Sequence, residues 1–138
     1  MGQLNISGTL TSGPTSVSSE GAFPSAVFTV PLGWKSGSNK SAAVATGVLT
    51  QNLNSPSAFV ALAGVGPTAP VTQGDTMYFK STSAIELRIT TDDGSNGQES
   101  YVVKPFGLFI LEFSADKPLE LLEAQGTGIL EYFVSGQT

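Results

Sequence analysis

The stretch 98–136 limits the fold more than any other. It sets strand-like runs end to end, each rich in β-branched and aromatic residues and each closed by Pro, Gly or Asp. The run 99–104 meets Pro105-Phe106-Gly107, and 108–113 leads back to Lys117-Pro118. The run 119–124 then passes through Gly126-Thr127-Gly128 into 129–134. This punctuation predicts an antiparallel meander and leaves no room for a helix of normal length. Both faces of 108–113 are largely apolar, which predicts a central strand covered on both sides.

The alternation continues upstream. Ala26–Leu32 places Phe28, Val30 and Leu32 on one face and Val27 and Thr29 on the other, at the period of two that a strand imposes. The segment 42–53 alternates likewise, with Gly47 marking a bulge, and Asn54-Ser55-Pro56 reads as a turn before the apolar 58–63. Pro67 and Pro70 make 64–73 a loop. The runs 76–80 and 85–90 form the clearest pair. In the second, Ile85, Leu87 and Ile89 face inward and Glu86, Arg88 and Thr90 face water. Asp92-Asp93-Gly94-Ser95-Asn96-Gly97 supplies a polar hairpin turn. About eight to ten strands at this spacing predict an all-β antiparallel sandwich, with the jelly roll as the expected topology.

At the N-terminus, 11 of the 16 residues in 7–22 are Ser, Gly or Thr. Such a segment buries too little to offset its ordering entropy on its own. The expected organisation is therefore a flexible or extended arm over 1–22 and one sandwich domain over 23–138. Residues 1–5 show no basic and apolar leader pattern.

Composition removes several chemistries. The chain has no Cys and no His, so disulfides, thiolate or imidazole metal sites and Ser-His-Asp catalysis are excluded. A net charge of −5, with six scattered basic residues, argues against a nucleic-acid partner. No charge occurs in 41–74, yet polar residues interrupt that run long before a membrane span accumulates. A neutral run of this length suits a surface that another protein covers, or a Gly/Ala/Ser-rich sheet facing water.

Two acidic groups deserve a test. Asp92, Asp93, Asn96 and Glu99 offer oxygens to Ca²⁺, but an EF-hand loop starting at Asp92 would put Gly94 at position three and Val103 at position twelve. That match fails, and a solvated turn is expected. Glu112, Glu120, Glu123 and Glu131 fall on neighbouring runs, where a carboxylate pair would suit glycoside hydrolysis. Acids in this pattern more commonly form the wet face of an antiparallel layer. The expectation is no enzyme, no cofactor and no metal.

The series Thr76-Met77-Tyr78-Phe79-Lys80-Ser81, Pro105-Phe106-Gly107, Pro118-Leu119 and Gly126-Thr127-Gly128-Ile129-Leu130-Glu131-Tyr132 resembles small virion proteins of tailed bacteriophages. Among these it is most similar to the β-sandwich capsid decoration, or cement, proteins. The resemblance implies a homodimer or homotrimer, made in the host cytoplasm, on the capsid exterior. There it would bind the major capsid protein between subunits and stabilise the shell, without catalytic residues, nucleic acid or membrane. The contact residues expected on this reading are Leu4, Ile6 and Leu10 of the arm, Trp34 of the following Gly/Ser loop, and Val44, Val48, Leu49 and Phe59 of the neutral run. Trp34 has a plainer reading as a lid folded onto the core. The alternative function is a tail, fibre or host-glycan module with Trp34, Tyr101 and Tyr132 as stacking platforms.

Overall fold

The computed structural model describes residues 4–10, 26–32, 43–91, 97–114 and 116–138. These residues are all-β and antiparallel, as the alternation predicts. The chain divides into two units, Gly2–Gly33 and the sheet-bearing Trp34–Thr138. In the first, β1 (Leu4–Leu10) pairs with β2 (Ala26–Leu32) from Leu4↔Leu32 to Leu10↔Ala26.

The second unit is one seven-stranded sheet. Its strands are β3 (Ala43–Ala45), β4 (Leu49–Ala61), β5 (Gln73–Ser81), β6 (Ile85–Thr91), β7 (Gly97–Val103), β8 (Phe109–Glu112) and β9 (Leu119–Gln137). Its logic lies in the register. Strand β9 pairs with β5 from Thr76↔Ser135 to Ser81↔Leu130, then with β6 from Glu86↔Gln125 to Thr90↔Leu121, without slipping by a residue. The outer edge of β5–β6 is likewise followed by β8 (Phe79↔Phe109) and β7 (Ile85↔Val103) in a single register. Strands β3 and β4 line the other edge of β9. The sheet thus consists of four long antiparallel strands, each broken or bulged near mid-length.

These interruptions coincide. Thr82 N–H donates to Ile129 O at 3.0 Å, and Phe106 N–H donates to Ser81 O at 2.8 Å, so 82–84, 104–108 and 126–128 share one corner line. Gly126 turns β9 there with φ +135, where an added Cβ would lie 3.0 Å from Ile85. The sheet curls about this line until its ends meet: Leu119 at the start of β9 lies beside Gly74, which also pairs with Gly136 near its end. Ile85, Leu87, Ile89 and Leu122 from one half and Met77, Phe79, Leu130, Tyr132 and Val134 from the other form one buried core. Phe79 stacks on Tyr132 with ring centroids 6.3 Å apart.

Several expectations are corrected. The closing segment is not a meander, since β7 and β8 follow β6 and β5 and do not pair with each other. Pro105-Phe106-Gly107 is a corner between collinear strands, and Gly126-Thr127-Gly128 is a bend inside β9. The runs around 76–80 and 85–90 lie end to end along β9 instead of forming a pair. Strand β8 is an edge strand, and β9 is the central one. Asn54-Ser55-Pro56 belongs to the bulge between Ser55 and Val60 within β4, while Gly47 (φ +70) separates β3 from β4. Ile85, Leu87 and Ile89 are buried as expected, and Thr90 is buried beside them.

Candidate functional site

Residues expected at the contact surface meet different fates. Trp34 lies outside the described residues, and Leu4, Ile6 and Leu10 are placed only as strand backbone. Val44 and Leu49 are half-buried and pack against the core. Phe59 is half-buried, with the Arg88 guanidinium 4.2 Å above its ring centroid. Val48 remains, 70% exposed, in the bend before β4. The neutral run is also less of a surface than its composition suggests, because Leu53, Leu62, Val65 and Val71 belong to the core. Its exposed part includes the outer side of β4, where Thr50, Asn52, Asn54, Pro56, Ser57 and Ala58 carry no charge.

Two of the glycan-stacking candidates are engaged within the fold. Tyr132 is fully buried; its hydroxyl donates to Ala63 O at 2.7 Å, and burial pushes its pKa up. Tyr101 is half-buried against Phe109 (ring centroids 5.3 Å apart) and donates to Glu99, a bond that raises its pKa. Asp92, Asp93 and Asn96 lie outside the described residues. Among those described, no three carboxylates gather into a cluster able to hold a metal.

The acidic residues are spread over two strands. Glu120, Glu123 and Glu131 all lie on β9, with Glu112 on β8. Glu123 is held bidentately by Arg88, with Nε and Nη2 each 2.8 Å from a carboxylate oxygen across the Arg88↔Glu123 register pair. Glu131 accepts from the Tyr78 hydroxyl at 2.7 Å. Burial and that carboxylate push the Tyr78 pKa up to about 12.

The corner line carries a feature absent from the sequence reading. On the outer face, a groove of about 210 Å³ is lined by Thr50, Lys80, Thr82, Phe106, Ile129 and Glu131. Phe106 and Ile129 are 70% and 50% exposed. Phe106 has φ +56, the one non-glycine with positive φ among the described residues. It sits in a four-residue turn closed by Gly107 N–H donating to Lys104 O at 3.0 Å. Pro105 takes the second position of this turn and Phe106 the third, where a type II turn calls for Gly or Asn. That mismatch was the available sequence signal; Phe106 passes as ordinary turn punctuation until its position within the turn is considered.

Among the described residues, no helix is long and apolar enough to cross a membrane. Comparison with protein-family models, curated proteins and solved structures finds no match to this chain.

Proposed function

We propose that this chain is a structural virion protein, a homo-oligomeric capsid decoration protein that binds the outer capsid surface between major capsid subunits. The supporting observation is the charge-free outer side of β4. This strand runs 13 residues with β9 as its strand partner among the described residues, and it lies within 34 consecutive residues lacking any charge. Proteins that stay apart generally blunt a long sheet edge with lysines or other charges. An uncharged edge instead meets a partner's backbone or a flat neutral surface with little charged-group desolvation. Repeated over a shell, contacts of modest individual strength sum to stable attachment. The resemblance of 75–136 to phage cement proteins points the same way.

The test counts copies. Particles from the source are purified, and this chain is quantified against the major shell protein by mass spectrometry. Hundreds of copies per particle are expected; a handful or none overturns the reading. Val48→Asp and Asn52→Lys place charge on the exposed edge without touching the core. They should reduce attachment while leaving the thermal unfolding midpoint nearly unchanged.

A further inference from the structure

From the corner-line groove we infer a second, independent function: a binding site for one uncharged pyranose ring of a glycan. Phe106 carries a conformational cost. A side chain in the left-handed region is strained, and glycine would occupy the same turn without penalty. Burial does not account for it, because the ring is 70% exposed. A large ring fixed outward against its own backbone preference is a platform whose use lies outside the fold.

The chemistry around the platform suits a sugar. Ile129 extends the apolar surface, and the polar groups beside it complement hydroxyls that both donate and accept. Glu131 is oriented by the Tyr78 hydroxyl at 2.7 Å, which leaves further lone pairs on its carboxylate. Thr82 Oγ1 accepts from Ile129 N–H at 3.0 Å, so its own proton is available to donate outward. Lys80 lies opposite Glu131 in the β5–β9 register and makes no ion pair among the described residues, so its ammonium adds donors. A sugar ring presents an apolar C–H face and an edge of hydroxyls, the pairing this groove offers. One cation beside one carboxylate selects a neutral ring over an acidic sugar or a phosphate. The volume, below the roughly 300–1,000 Å³ of drug-sized pockets, admits a single ring of a longer chain.

The experiment is a heteronuclear NMR titration of the full chain with four neutral probes: the methyl pyranosides of glucose, galactose, mannose and N-acetylglucosamine. At least one should give saturable shifts at the amides of Thr82, Phe106 and Ile129, with a Kd of about 1 mM. Phe106→Gly keeps the turn and should weaken binding at least ~10-fold, whereas Leu108→Ala, outside the groove, should leave it within ~2-fold. Amide dispersion of the β9 core residues reports that each variant is folded. The site is overturned if no probe gives saturable shifts, if shifts map away from the corner line, or if Phe106→Gly binds as well as the parent. None of these outcomes depends on whether the chain decorates a capsid.

Discussion

Gly136→Ala tests the close approach of β5 and the end of β9 directly. Gly136 is buried where the end of β9 passes β5, and a methyl group there would collide with the Gln73 carbonyl oxygen. It would also lie 2.7 Å from Gly74 Cα, whereas ordinary contact begins at 3.4 Å, so the strands must part by at least ~0.7 Å. Both obstacles are backbone, so no side chain can rotate away. The Thr72 N–H to Gln137 O bond, now 3.0 Å, would stretch to about 3.7 Å, and the neighbouring Gln73↔Gln137 and Gly74↔Gly136 pairings would weaken with it. Losing two or three hydrogen bonds at about 1 kcal/mol each gives a cost of about 2–3 kcal/mol. For a domain of this size that lowers the unfolding midpoint by about 6–12 °C.

Urea unfolding followed by far-ultraviolet circular dichroism measures it, with an unchanged m-value indicating that the folded surface is retained. Gly47→Ala is the comparison. Nothing lies within 4 Å of its added Cβ, so its cost is the backbone strain of φ +70 alone, about 1 kcal/mol. If Gly136→Ala costs no more than Gly47→Ala, β5 and the end of β9 do not approach as closely as described.

Other outcomes are expected. All three tyrosines have pKa values raised above 10, by burial for Tyr78 and Tyr132 and by the Glu99 bond for Tyr101. The folded state therefore holds these protons more tightly than the unfolded chain. Their stabilisation is complete below pH 10 and is lost as pH rises through the folded values, about 12 for Tyr78. Phenolate absorbance should appear together with loss of the β-sheet signal; a tyrosine titrating near pH 10 in the intact fold would contradict this. Arg88→Lys removes both the fork on Glu123 and the stacking on Phe59, and should lower the urea midpoint, less so at high salt. Phe106→Gly should raise stability by about 0.5–1 kcal/mol, since relief of left-handed strain exceeds the added unfolded-state entropy; a destabilised variant would refute the strain argument.

Which residues face inward was legible in the sequence, and which strands are neighbours was not. Ile85, Leu87 and Ile89 announced their buried face by alternation, because a half-buried strand must alternate whatever lies beside it. Pairing is a different matter. Lys104-Pro105-Phe106-Gly107 is turn chemistry of the kind that closes a hairpin, yet here it carries the chain around a corner in the same general course. Only the non-local bond from Phe106 N–H to Ser81 O separates the two outcomes, and nothing within the four residues encodes it. The same limit hid β9: Gly126-Thr127-Gly128 looked like a break between two strands, and its glycines are required by the close approach of Ile85 and Ser83 across the sheet, which the local sequence does not show. Neutral composition misled in another way. A run without charge can be uncharged because it is covered by a partner or because it is core, and 41–74 turns out to contain Leu53, Leu62, Val65 and Val71 in the core.

The shared register explains why a groove sits where it does. Because β5–β6 keeps one alignment with β9 and another with β7–β8, interruptions far apart in sequence are forced to one level of the sheet. At that level the groove lies between Phe106, Thr82 and Ile129. The corner also leaves β4 alongside β9 with Thr50 opposite Glu131 and Asn52 opposite Ile129, so the groove and the uncharged edge adjoin on one face. A glycan ring on Phe106 and a protein surface on β4 would therefore be neighbours. Substitutions at Thr50, which belongs to both, should disturb the two activities together, while Val48→Asp and Phe106→Gly should separate them.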